Sequence, residues 1–297
     1  MVGTPQISTK RYCMAVFYNQ ATLSYGNNVT NSNIVTGELL EVLSVTKTSL
    51  GDEYSAGNDM VYAVSIVNSG ATALTGVTVT DDLGTFPFGA GTLTPLDYVN
   101  GSAVLYVDGV LQPAPAVTAG PPLVISGLTV PAGGTALLLY RALPNSFAPL
   151  AVGSTITNTA TVTGGGLSTP LTASHTITAN EAPRLTISKS MCPTTVVENG
   201  LLTYTFVIEN LGNTPAIATD NLTVTDTFSP ILSGLSVTLD GVALTEPADY
   251  TYNTATGDFD TVPGRITVPA ATYTTDPTTG VVTVTPGVAV LRVSGTV

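Results

Sequence analysis

The chain repeats itself. Leu43-Ser44-Val45-Thr46-Lys47-Thr48 matches Leu185-Thr186-Ile187-Ser188-Lys189-Ser190, about 142 residues later. At the same offset, Val61-Tyr62-Ala63-Val64-Ser65-Ile66-Val67-Asn68 matches Thr203-Tyr204-Thr205-Phe206-Val207-Ile208-Glu209-Asn210. Val77-Thr78-Val79-Thr80-Asp81 then matches Leu222-Thr223-Val224-Thr225-Asp226, and Val107-Asp108-Gly109-Val110 matches Leu239-Asp240-Gly241-Val242. The last block sets Leu137-Leu138-Leu139-Tyr140-Arg141 against Val288-Ala289-Val290-Leu291-Arg292. The offset drifts between blocks, as it does when loops differ in length. A repeat of this size implies two copies of one domain.

Within the blocks, apolar residues alternate with Thr or Ser, the pattern of strands with one buried and one wet face. Asp-Gly between two such runs marks a tight hairpin turn. No long segment shows a helical apolar period. The fold class is therefore all-β: two tandem immunoglobulin-like β-sandwich domains. The expected boundaries are residues 1–36 for an N-terminal extension, 37–178 for the first domain and 179–297 for the second.

Composition narrows the function. Charged residues make up 9% of the chain, against about 25% in typical soluble domains. The net charge is −12 with three Lys and five Arg, which argues against nucleic acid and anionic membrane surfaces as partners. No run is long and apolar enough for a membrane helix, and no basic-then-apolar leader opens the chain. His175 is the single histidine, so a His-dependent nucleophile site is not expected and His175 reads as a plain strand residue. Two Cys and one His do not make a zinc site. No cofactor, no metal and no enzyme acting on an external substrate is expected.

The repeats end differently. The first continues to Thr155-Ile156-Thr157-Asn158-Thr159-Ala160-Thr161-Val162-Thr163, a clean final strand with Ile156, Asn158, Ala160 and Val162 on one face. The second stops at Val297 with no room for its equivalent. The equivalent stands at the other end of the chain: Phe17, Asn19, Ala21, Leu23 and Tyr25 share one face, and Asn-x-Ala-Thr occurs in both segments. Val35-Thr36 then leads into the Lys47 strand as Ile177-Thr178 leads into the Lys189 strand. A sandwich lacking its last strand offers an open edge for strand addition. Residues 17–25 are thus a candidate donor strand for the second domain of a neighbouring copy. Residues 26–42 could stretch roughly 55 Å, so self-closure is not excluded by length. It would pull the linker from its place beside the first domain, whereas open head-to-tail exchange repeats into a fibre.

Three polar residues recur in the inward register: Lys47 and Lys189, Asp81 and Asp226, Asn158 and Asn19. Burying an unpaired Lys or Asp is costly, so these positions need partners. The Lys strand, the stretch with Tyr62, Asn68 and Gly70 (Tyr204, Asn210 and Gly212), the Val-Thr-Asp strand end and the Asn-x-Ala-Thr strand resemble the bacterial surface repeat called domain of unknown function eleven. Such repeats occur in long extracellular and appendage proteins. Similar sandwich domains of Gram-positive pili form Lys–Asn isopeptide bonds assisted by a buried acid. The resemblance implies a crosslink between Lys47 and Asn158 within the chain, with Asp81 as the assisting acid. It implies a second between Lys189 and a neighbour's Asn19, with Asp226 assisting. The bland alternative is a buried Lys–Asp pair hydrogen-bonded to Asn, with no covalent bond.

Cys13 and Cys192 are candidates for a disulfide between subunits; two unrelated thiols are the alternative. If the first and last strands of a domain run parallel, the two positions diverge and do not pair directly. The expected function is a structural subunit of an extracellular fibre on a bacterial cell or spore surface, with copies of itself as partners. The competing expectation is an adhesin or ligand-binding surface module, against which stand the lack of Trp and of any clustered aromatic loop motif.

Overall fold

A computed structural model of the chain describes residues 14–40 and 42–297; Cys13 lies outside the described residues. The elements are strands throughout, apart from a three-residue 3-10 turn at Ala218–Asp220. Two separate hydrophobic cores form, one from residues between Leu43 and Ala179 and one from residues between Leu202 and Val293. Each core lies between sheets of antiparallel strands, an immunoglobulin-like β-sandwich.

The first sandwich has two full sheets. One places the Lys47 strand (Leu43–Ser49) at its edge, then the Tyr62 strand (Met60–Asn68), the Tyr140 strand (Thr135–Pro144) and a strand at Val104–Val107. The other centres on the Asp81 strand (Leu74–Asp81), flanked by the Ile125 strand (Leu123–Val130) and the Asn158 strand (Thr155–Thr163). Beyond the Asn158 strand comes one more, the His175 strand (Leu171–Ala179), which pairs in parallel with Glu53 and Tyr54. The Asn158 strand is therefore not the last. The chain turns through Gly164, Gly165 and Gly166, all at positive φ, and returns as the second arm of a hairpin. The first sandwich thus runs one residue past the expected boundary at 178, since Ala179 is a paired strand residue.

The second sandwich repeats the main strand order of the first sheet. The Lys189 strand (Leu185–Cys192), the Tyr204 strand (Leu201–Asn210), the Leu291 strand (Gly287–Thr296) and the Val237 strand (Ser233–Leu239) follow in the same order. Its other sheet is short: the Asp226 strand (Thr225–Thr227), then Asp258–Thr261, then Tyr250–Tyr252. Among the described residues, no strand pairs with the outer edge of the Asp226 strand.

Small motifs of the repeat have structural reasons. Asp108-Gly109 and Asp240-Gly241 turn with positive φ at both residues, and each Asp carboxylate accepts from a neighbouring backbone N–H, Thr135 and Val290 respectively. This is the geometry that a two-residue hairpin loop demands. Asn68 and Asn210 are fully buried. The amide of Asn68 donates to the carbonyls of Thr72 and Pro131 and accepts from Gly70 N–H. Asn210 does the same with Thr214, Pro269 and Gly212. Each Asn satisfies loop backbone that burial would otherwise strand.

Strand pairing also corrects the repeat's register. Tyr140 lies opposite Tyr62, and Val293 lies opposite Tyr204. Val293, not Leu291, therefore occupies the place of Tyr140, and the last sequence block is displaced by two residues.

The N-terminal extension is a long two-armed hairpin. Met14–Asn19 pairs with Val35–Leu40, and Thr22–Tyr25 pairs with Asn28–Asn31 around a turn at Gly26. The expected strand over 17–25 is interrupted at Gln20 and Ala21. There Ala21 N–H donates to Ser32 Oγ, and Ser32 N–H donates back to the Ala21 carbonyl. The hairpin runs through Leu40, past the expected boundary at residue 36.

Candidate functional site

In the first sandwich, the three expected residues converge. Lys47 points inward between Leu43 and the core, and its Nζ lies 2.5 Å from Asp81 Oδ2, with both side chains buried. Asp81 also accepts from Tyr140 Oη at 2.5 Å and from the Leu83 N–H at 3.1 Å. Asn158 Nδ2 donates to Tyr140 Oη at 3.3 Å. Asn158 Oδ1 and Tyr62 Oη are buried with no hydrogen-bond partner. The rings of Tyr62 and Tyr140 stack at 5.6 Å, and the Lys47 ammonium lies 4.9 Å from the centre of the Tyr62 ring.

Burial lowers the pKa of Lys47 from its ordinary 10.5, and the neighbouring Asp81 offsets part of that shift. Burial likewise raises the Tyr140 hydroxyl well above 10, reinforced by the Asp81 charge. The site is a dry pocket holding an amine, a carboxyl, a phenol and a carboxamide in contact. Such a set places a buried amine near a carboxamide, with the acid joined to that carboxamide through Tyr140.

In the second sandwich, Lys189 Nζ contacts Asp226 Oδ2, and Thr227 N–H donates to Asp226 Oδ1. Three rings surround the amine: Tyr204 at 4.6 Å, Phe206 at 5.5 Å and Phe228 at 5.6 Å. The contrast with the first site is exposure. The Lys47 and Asp81 side chains are 0% and 1% exposed, whereas those of Lys189 and Asp226 are 40% and 17% exposed. Every residue of the Lys189 strand is exposed, while the Lys47 strand alternates in and out. In the first sandwich, the Asn158 strand covers Asp81, with Ala160 paired opposite it, and the His175 strand lies against the Lys47 strand. The second sandwich has neither strand among the described residues.

Asn19, Phe17, Ala21, Leu23 and Tyr25 stand on the N-terminal hairpin, all exposed. Phe17 lies across Gly37, where a Cβ would fall 2.3 Å from the ring. Asn19 is opposite Val35, as Asn158 is opposite His175. Val35 therefore corresponds to His175 and not to Ile177, another displacement of two residues. Asn19 is not brought to Lys189 within this chain: the arms of its hairpin pair with each other.

His175 Nε2 lies 3.1 Å from Asp52 Oδ1 at the sandwich surface. Cys192 is exposed and free. The Lys47 strand leads on to Asp52, whose carbonyl accepts from Thr178 N–H, and Thr178 is opposite Thr155 at the start of the Asn158 strand. The first and Asn158 strands therefore run in opposite directions. No cluster of metal-ligating side chains, and no helix long and apolar enough to cross a membrane, occurs among the described residues.

One feature had no signal in the sequence. An open cleft of about 590 Å³ between the two sandwiches is lined by Phe86, Phe88, Phe147, Ile156 and Val282. Three of the chain's seven Phe meet there. Phe86 and Phe88 share the short strand Phe86–Phe88, and Phe147 joins them from a distant segment, so the local Phe-Pro-Phe pair alone does not announce the cluster.

No family model matches the chain. No curated protein matches it either. Among solved structures, it is similar to BcpA, the major pilin subunit of Bacillus cereus, at 11% identity and a TM-score of 0.35, covering 92% of this chain and 73% of that one. It is similar to the pilus backbone protein RrgB of Streptococcus pneumoniae at 13% identity and a TM-score of 0.33, over 82% of this chain. The chain spans 55% of the pneumococcal protein's length. The collagen-binding domain of a Staphylococcus aureus adhesin matches 45% of this chain and 96% of its own at 12% identity, TM-score 0.30. At these scores, the likeness carries no functional weight.

Proposed function

We propose that the chain is a structural subunit of an extracellular bacterial fibre, in which the N-terminal hairpin of one copy completes the second sandwich of the next. One observation carries this reading. Among the described residues, no hairpin lies at the edge of Asp226 and over Lys189, and the chain holds an exposed antiparallel hairpin at its N-terminal end.

Seated as the Asn158–His175 hairpin is seated, the neighbour's Ala21 would pair opposite Asp226 and its Asn19 would face Lys189. The arm Val35–Leu40 would lie over the exposed Lys189 strand. Docking would bury an amine that is now half in water, which is costly for a charge. An isopeptide bond removes that charge. The Lys47–Asn158 bond would do so within the chain and the Lys189–Asn19 bond between chains, with Asp81 and Asp226 as the acids.

Electron microscopy of the full chain beside one that begins at Asn31 tests the donor hairpin. Fibres are expected from the full chain alone, and fibres from the shortened chain would overturn it. Boiled detergent gels test the interchain bond: ladders are expected, and collapse to monomer with and without reductant refutes it.

The adhesin reading is favoured by a single feature, the Phe-lined cleft. A binding module would hold its target through that cleft without residues 1–25.

A further inference from the structure

We propose that Tyr140 is the proton relay of the first crosslink site, and that the second site, with Val293 in its place, works without one. This rests on the Lys–Asn reading above and names a further residue for that chemistry.

The geometry puts Tyr140 Oη between the two groups that must exchange a proton. It donates to Asp81 Oδ2 at 2.5 Å and accepts from Asn158 Nδ2 at 3.3 Å. Nδ2 is the nitrogen that leaves. An amide nitrogen is a poor leaving group until it is protonated, and Tyr140 Oη is a hydroxyl within hydrogen-bond distance of it. Burial holds the Tyr140 proton on oxygen through the neutral range, so the hydroxyl remains available as a donor.

The steps balance as follows. Lys47 gives one proton to the Asp81 carboxylate it contacts, and its amine attacks Asn158 Cγ. In the tetrahedral adduct, Nδ2 has a free lone pair. Asp81 passes its proton to Tyr140 Oη as Tyr140 passes its own to Nδ2. The C–N bond breaks, ammonia leaves, and the new amide nitrogen returns a proton to Asp81. Of the three ammonium protons, one stays on the amide, one departs in ammonia and one ends on Asp81 as a neutral acid.

Besides its greater exposure, the second site differs at this position. Its strand partner of Tyr204 is Val293, fully buried and without a hydroxyl. The interchain bond therefore closes more slowly than the intrachain bond, after the neighbour has docked.

Intact mass followed over time after purification tests the relay. Wild type should lose the mass of one ammonia from the Lys47–Asn158 site, and Lys47→Ala should never lose it. Tyr140→Phe removes only the hydroxyl and should slow that loss by about a hundredfold, within the usual span of proton-transfer catalysis. Closure of Tyr140→Phe at the wild-type rate overturns the relay. Because Phe could also disturb packing, 3-fluorotyrosine at position 140 supplies a second variant of the same shape with a more acidic hydroxyl. Its rate should change at unaltered thermal stability, and an unchanged rate overturns the relay. A wild-type chain that keeps its ammonia ends the Lys47–Asn158 reading itself.

Discussion

Lys47 Nζ and Asp81 Oδ2 are 2.5 Å apart, and neither side chain reaches water. A pair held this way is weak evidence for stability as a pair, yet removing one member leaves a bare charge in the core. In an Asn158→Ala background, where no crosslink can form, Asp81→Asn should cost ~3–5 kcal/mol. The double change Lys47→Met with Asp81→Asn should recover most of it. Urea unfolding of the three chains measures this, and equal stability of single and double variants would refute the coupling.

The same background exposes a pH effect. Because burial lowers the Lys47 pKa, the unfolded chain binds a proton that the folded chain releases as pH rises toward 10.5. Stability should therefore climb with pH below about 10 and lose that climb in Lys47→Met. Above 10 the sign reverses, since burial raises the hydroxyls of Tyr54, Tyr62 and Tyr140 and the unfolded chain gives up those protons first. Thermal midpoints across this range would show it; a flat profile below pH 10 counts against the lowered amine.

A synthetic peptide of residues 14–42, added to the chain that begins at Asn31, should bind and slow hydrogen exchange across the Lys189 strand. Lys189 should react with an amine-labelling reagent before addition and resist it afterwards, while Lys47 resists throughout. Labelling of Lys189 that is indifferent to saturating peptide would sink the acceptor edge. Phe17→Asp in the peptide should weaken binding, because that face would meet the second core.

Asn68→Ala and Asn210→Ala should each cost ~2–4 kcal/mol, since each strands several buried loop groups at once. Denaturant midpoints test this, with Asn58, an exposed loop residue, as the control position. Parity with the control would show that the loops find other partners.

The alternation of apolar residues with Thr made the sandwich legible, and the inward register of Lys47, Asp81 and Asn158 was readable from the same alternation. Its blind spot is a slip of two. In a strand, a shift of two residues preserves which face each side chain takes. Arg141 therefore seemed to match Arg292, and Val35 to match Ile177, where pairing sets each two residues away. That slip also hid Val293 behind Leu291 at the place of Tyr140. His175 read as a strand residue, but its strand was not assigned as the arm after the Asn158 strand, because its outward residues are small and polar and its inward ones barely apolar before Ile177. The three glycines at 164–166 were the available sign of a turn back. The Phe cleft had only the short Phe86-Pro87-Phe88 run as a sign, since folding alone brings Phe147 and Val282 to it.

The interruption at Gln20 and Ala21 has a mechanical consequence. A uniform ladder can creep under tension, because sliding by one repeat exchanges each contact for a similar one. The Ser32 clasp on Ala21 breaks that uniformity. Any slide of the hairpin along its groove would drive the irregular pair into regular sheet. In the proposed fibre, the joint would then have a stop built into its thread.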